Sequence, residues 1–178
     1  MAVLTVAVIL IALIALLNLA VTTALVRRMR ELQPTATRPE DGLHRGEPVP
    51  EFTVERAGLP PLTREALRER PTLVAFFATT CPQCASHAAE FARRTAEPAF
   101  VGTRILPVLL DTGEDRRGLR ALLSEAAEPV VDGTAAELSR LFRSRGTPAY
   151  FLIGTDGTVA AKGPNLASLS LPLPHPAG

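Results

Sequence analysis

The sequence predicts an α/β fold: a central sheet with helices on both faces, preceded by one N-terminal helix long enough to cross a membrane. Three observations lead there. Residues 72–78 (TLVAFFA) and 105–111 (ILPVLLD) are short continuous apolar runs, the mark of strands buried on both faces. Helical stretches alternate with these strands, a pattern that calls for a sheet covered on two sides. The segment that begins at Val3 and ends at Val26 contains no charged residue.

As a helix, that first segment extends about 36 Å, against roughly 30 Å of hydrocarbon. No basic residue precedes it, and it is too long for the apolar stretch of a signal peptide. Residues 7–17 show no polar face, so a soluble helix fits poorly. Residues 1–26 are therefore expected to be a transmembrane anchor, with the bilayer as its partner. Residues 27–50 are polar and carry Pro34, Pro39, Pro48 and Pro50, which predicts a tether. Residues 51–163 suffice for one compact core.

Within that core, 72–78 is the first buried strand. Residues 82–96 are Ala-rich with Arg93 and Arg94 late, as in a helix. The strand 105–111 is interrupted by Pro107. Residues 115–127 read as a helix and 129–132 as a short strand. A further helix spans 134–145, with Gly146 as its stop. Residues 149–154 and 158–162 flank Thr155-Asp156-Gly157, a hairpin turn. The tail, 164–178, contains Pro172, Pro174 and Pro176 and is expected to be disordered.

Composition narrows the function. The net charge of +1 gives no sign of a nucleic-acid binder, which would show a basic surplus. There is no Trp and aromatics are 4%, so the core must rest mainly on aliphatic and Ala packing. The only cysteines are Cys81 and Cys84. A bridge between thiols so close staples almost nothing, and one pair is only half of a four-thiolate zinc site. No cofactor or resident metal is expected. The pair falls where the buried strand ends and a helix begins. There the helix dipole favours an anion, lowering the pKa of Cys81 and raising its thiolate fraction. Pro82 suits the first helical turn, since its missing N–H is not needed there. The two-residue gap puts Cys84 within disulfide reach. Cys81 would attack a disulfide, and Cys84 would resolve the mixed disulfide.

The stretch Phe76-Phe77-Ala78-Thr79-Thr80-Cys81-Pro82-Gln83-Cys84 resembles the active-site strand and turn of membrane-anchored thioredoxin-like proteins of the TlpA/redoxin type. Val49-Pro50-Glu51-Phe52-Thr53 resembles their domain opening, and Leu62 to Leu67 the short turn before the strand. Gly146-Thr147-Pro148-Ala149-Tyr150-Phe151-Leu152-Ile153 resembles their second signature, and Asp156-Gly157 their hairpin. The resemblance implies a thioredoxin-like fold, with a mixed central sheet. It also implies that Pro148 is cis opposite Cys81, leaving the Thr147 backbone to pair with a substrate chain.

The departures are informative. Thr80 replaces the aromatic that usually precedes the first cysteine. Ala75 stands where thioredoxin has a buried Asp. His87 replaces a Glu found in many relatives. It is either an acid–base group near the dithiol or a solvated helix residue. The usual C-terminal helix is missing, so one sheet face is expected to be less covered, or covered by a partner.

The function implied is a membrane-tethered thiol–disulfide oxidoreductase that reduces or exchanges disulfides in partner proteins during their maturation. Its partners would be disulfide-containing or dithiol proteins and a membrane or soluble redox donor. An anchor running straight into Arg27-Arg28-Met29-Arg30-Glu31 also resembles the methylamine-utilisation accessory (MauD-type) proteins, in which the dithiol helps a disulfide-rich enzyme subunit mature. A copper chaperone using Cys81, Cys84 and a His is the second class, since thiolates suit Cu(I). Its spacing departs from the CxxxC of copper-delivery relatives, and the distant candidates are His44 and His175. Peroxiredoxins place Pro and Thr where this chain has Val74 and Ala78, so their pocket is absent. A scaffold with a vestigial dithiol is a fourth class. On sidedness, Arg27, Arg28 and Arg30 favour a cytoplasmic domain. The resemblance favours an extracytoplasmic one at the cell membrane, where disulfides form.

Overall fold

The computed structural model describes residues 2–32, 41–56, 59–110, 113–115 and 117–169, and the chain divides into two units, Met1–Pro34 and Thr35–Gly178. The first unit is one helix, α1 (Ala2–Leu32). It runs past the expected boundary at residue 26 because Arg27 to Leu32 are all helix-compatible and the first Pro comes at 34. Within it, Leu4–Ala24 is long and apolar enough to cross a membrane. Its polar residues satisfy themselves locally: the Asn18 amide donates to the Ile14 carbonyl at 3.1 Å and the Thr23 hydroxyl to Leu19 at 2.8 Å. Such internal pairing is what a lipid environment demands.

The second unit opens with an antiparallel ribbon, β1 (Thr53–Arg56) and β2 (Leu59–Thr63). The sequence does not announce β2, because Pro60 and Pro61 break the usual strand composition. A 3₁₀ turn, Glu65–Arg68, then feeds β3 (Thr72–Ala78), followed by α2 (Cys84–Thr95) and β4 (Arg104–Leu110). The chain continues through α3 (Leu119–Ser124), α4 (Asp132–Leu141), β5 (Ala149–Ile153) and β6 (Val159–Gly163). The main sheet has the order β4-β3-β5-β6. β4 runs parallel to β3, while β5 and β6 are antiparallel to their neighbours, so the sheet is mixed as expected.

β3 is buried along its whole length and splits its side chains between two cores. Val74 and Phe76 enter one with Leu138, Phe142 and Phe151; Leu73, Ala75 and Phe77 enter the other with Phe91, Leu123 and Tyr150. This is the period-two alternation of a strand. The few aromatics are concentrated in two triads. On one face Phe76, Phe142 and Phe151 meet at centroid distances of 5.2–5.8 Å. On the other, Phe77, Phe91 and Tyr150 meet at 5.6–6.2 Å. Pro107 is tolerated in β4 because it lies on an edge strand. Its carbonyl accepts from Val130 N–H at 2.9 Å on the outer side, so its missing N–H also faces away from β3.

Several expected boundaries move. The tether does not reach residue 50. Leu43 and Val49 are buried, and Gly46 N–H, Val49 N–H and the Glu47 carbonyl bond the chain at 157–159. Gly42 is required there, with a φ of +87° and space for a Cβ already taken by the Phe151 ring. The strand expected at 129–132 shrinks to one bridge, Val108 to Val130, because the helix α4 already begins at Asp132. The helix expected over 115–127 is only Leu119–Ser124. α4 ends before Gly146, at a Schellman turn. Arg143 takes the left-handed conformation (φ 52°), and Ser144 N–H bonds the Ser139 carbonyl at 2.9 Å.

The tail is corrected too. Residues 164–169 are ordered, with a 3₁₀ turn at Leu166–Ser168 capped by Asn165. Leu166 and Leu169 are buried in the α2–α3 core, so a short apolar turn stands where a C-terminal helix was missed. Residues 170–178 lie outside the described residues. Leu166→Ala is expected to lower the unfolding free energy by about 2 kcal/mol, the low end for a buried Leu because the turn is peripheral. Urea denaturation of the full chain checks this, and no loss would mean that the turn does not close the core.

Candidate active site

The β3 strand delivers the dithiol. Thr79 N–H bonds the Leu110 carbonyl at 3.2 Å and holds the strand end in place, after which the chain turns sharply. Cys81 N–H bonds the Ala78 carbonyl at 3.1 Å, and Cys84 N–H bonds the Cys81 carbonyl at 3.3 Å. α2 starts at Cys84 with Gln83 as N-cap, so Pro82 sits in the turn ahead of the helix rather than in its first turn. Cys81 and Cys84 are joined as a disulfide, with Cα atoms 5.4 Å apart. Their environments differ. Cys84 is fully buried in the α2 core, whereas Cys81 is half-buried and its neighbours Thr80 and Pro82 are exposed.

Pairing of β5 with β3 brings the second motif to the same place, with Ala149 opposite Phe76. The Thr147-Pro148 peptide is cis, and the Thr147 carbonyl oxygen lies 3.4 Å from Cys81 Sγ. A disulfide sulfur has no proton, so this is a contact in the oxidised state; a reduced Cys81 thiol can donate to the same oxygen. Pro148 is buried and Thr147 half-buried.

His87 lies one turn beyond Cys84 and is half-buried, its ring 6.5 Å from that of Tyr150. Among the described residues, no hydrogen bond joins His87 to either sulfur. Burial, with a smaller effect from Glu90, pushes the Tyr150 phenol well above its ordinary range, so it stays protonated. Ala75 is buried and apolar, so no carboxylate sits beneath the dithiol at that position. Among the described residues, no three His, Cys, Asp or Glu side chains cluster as a metal site.

One neighbour of the dithiol escaped the sequence. Arg117, on the loop before α3, donates from Nη1 to the carbonyls of Thr79 at 3.3 Å and Cys81 at 3.4 Å. Nothing in a run of Asp115-Arg116-Arg117 signals this, because only the fold brings residues 36 apart together. Asp115 shapes that loop. Its carboxylate accepts from Leu119 N–H at 2.9 Å and Arg120 N–H at 3.0 Å, capping α3. Partial burial opposes ionisation, but these backbone donors outweigh it and hold the Asp115 carboxyl below its ordinary range.

A family model described as AhpC/TSA matches residues 45–162. No curated protein sequence matches the chain. The fold resembles the thioredoxin domain of a thiol-disulfide oxidoreductase from Bacteroides vulgatus, with a TM-score of 0.54 and 18% identity over 67% of this chain and 88% of that one. A thiol-disulfide oxidoreductase from Bacteroides fragilis gives 0.54 and 22%, over 69% and 94%. A secreted disulfide oxidoreductase from Mycobacterium tuberculosis gives 0.51 and 17%, over 67% and 88%. The fold is thus thioredoxin-like.

The depressed Asp115 carboxyl contributes stability that is present above its unfolded value and lost as pH falls through its folded one. Asp115→Asn should therefore unfold earlier than the natural chain at pH 7. The gap should close as pH drops below about 3.9, the ordinary Asp value. Denaturation midpoints across that range check it; a gap independent of pH would show that the charge is not involved.

Proposed function

The chain belongs to the AhpC/TSA family, and from that premise we propose that it is a thiol–disulfide oxidoreductase acting on protein disulfides. The observation that carries this reading is the unequal burial of the two cysteines at the end of β3. A partner can reach Cys81, while Cys84 is fully buried and closed to a partner. In the reduced protein, the Cys81 thiolate attacks one sulfur of a substrate disulfide. A mixed disulfide forms, and the other substrate sulfur leaves as a thiolate that takes up a proton. Cys84, deprotonated, attacks Cys81 Sγ, forming the Cys81–Cys84 disulfide and releasing the second substrate sulfur. Two electrons pass to the substrate, and a dithiol donor must supply them again. The Thr147 backbone beside Cys81 would pair with the substrate chain, and Pro148 would keep that edge open. His87, one turn from Cys84, is the side chain proposed to carry the proton in the resolving step.

The finer reading tethers this domain to the cell membrane through Val3 to Val26 and places it on the extracytoplasmic side. The length and apolarity of Leu4–Ala24 support the anchor, and the chemistry supports the side, since disulfides persist in oxidising compartments. Arg27, Arg28 and Arg30 remain the opposing signal. Maturation of a disulfide-rich enzyme subunit, as in MauD-type proteins, is the substrate class proposed on the anchor and its basic end. Copper delivery has less support, because the cysteine pair lacks a third ligand among the described residues.

Cys81→Ser should reduce disulfide exchange to the uncatalysed rate in an assay of a disulfide-bonded protein with dithiothreitol. Cys84→Ser should retain attack and accumulate mixed disulfides, seen as reductant-sensitive adducts on a gel. Tight stoichiometric Cu(I) binding without exchange activity would overturn the oxidoreductase reading. A C-terminal reporter active only outside the cytoplasm is expected, and the opposite result would reverse the sidedness.

A further inference from the structure

The cysteine loop is flanked by a cation that no part of the exchange chemistry above uses. Arg117 reaches across from the loop before α3 and grips two carbonyls, those of Thr79 and Cys81. Carbonyl oxygens carry partial negative charge, and these two flank the residue that must become an anion. Engaging them removes part of the field that opposes ionisation and adds a full positive charge beside Cys81. Among the described residues, the Arg117 guanidinium forms no salt bridge. The loop is built to hold it there. Asp115 caps α3, Gly118 takes the left-handed conformation (φ 64°) and bonds the Asp115 carbonyl at 3.3 Å, and the Gly113 backbone runs beside Thr80.

We propose that Arg117 is a positioning residue of the redox site: it fixes the Cys81 turn and stabilises the Cys81 thiolate. This rests on the reading of Cys81 as the attacking sulfur. Stabilising the thiolate favours the reduced dithiol, so the Cys81–Cys84 disulfide becomes a better oxidant. Arg117 is exposed, and the effect is correspondingly smaller than that of a buried charge pair.

The test is the pH dependence of Cys81 alkylation by iodoacetamide in the reduced full chain, in a Cys84→Ser background and in detergent. Arg117→Ala should raise the midpoint by about half a pH unit. Arg117→Lys should recover most of that shift, because it keeps the charge. Salt at about 1 M should move the natural chain toward the Arg117→Ala value and leave that variant in place. With both cysteines present, Arg117→Ala should make the disulfide about threefold harder to reduce by glutathione, the factor that half a pH unit represents. Equal midpoints in Arg117→Ala and the natural chain would overturn the proposal, as would equal shifts in Arg117→Ala and Arg117→Lys. If Arg117→Ala fails to fold, the Lys variant and the salt series still decide. A natural Cys81 that titrates at or above about 8.5, the ordinary thiol value, would instead overturn the assignment of Cys81 as nucleophile.

Discussion

The rest of the structure depends on the double burial of β3. The strand is hydrogen-bonded on both edges, to β4 and β5, and covered on both faces. Every backbone polar group along it must therefore find a partner in the sheet, because no water is available. That requirement is met by the parallel strand β4 on one edge and the antiparallel strand β5 on the other. Side-chain alternation then forces two separate cores, one under α4 and the other under α2 and α3. The chemistry begins where this constraint ends. Past Thr79, whose N–H is the last bonded to β4, the chain turns and leaves Cys81 half-exposed.

The core compensates for its shortage of aromatic residues by placement. Phe76 and Phe77 are adjacent in sequence and point to opposite faces, so each seeds one aromatic triad. Tilted and edge-to-face ring contacts of this kind add stability beyond simple area burial. Tyr150 ties the second triad to the site. It packs against Phe77 and Phe91 and near His87, two residues after Pro148. The segments at both ends of the domain complete the cores. Leu43 and Val49 close the α4 face, and Leu166 and Leu169 close the other.

Polar contacts between loops, rather than core packing, set the detail of the site. The Thr147 carbonyl meets Cys81 Sγ from one side, and Arg117 holds the Cys81 and Thr79 carbonyls from another. These groups come from three segments far apart in the chain. The sheet order and the short capped helix α3 bring them together. Asp115 belongs to the same arrangement although it touches neither sulfur, because its cap shapes the loop that carries Arg117.

Read alone, the sequence determined the strand 72–78, the closing hairpin, the α/β class and the two cysteines. Each rests on a local signal: an unbroken apolar run, a Thr-Asp-Gly turn, a two-residue spacing. It misplaced the segments at 41–50 and 164–169, where Pro and polar residues mask a few apolar anchors whose burial depends on a distant surface. It also missed β2, hidden by Pro60 and Pro61, and gave no hint of Arg117. The family resemblance implied that Pro148 stands opposite Cys81, but only the tertiary structure decided how far each cysteine is buried, that the Thr147 carbonyl meets Cys81 Sγ at 3.4 Å, and which guanidinium stands beside them. Local composition sets periodicity and turns, but proximity between distant residues is a property of strand order, which no local pattern encodes.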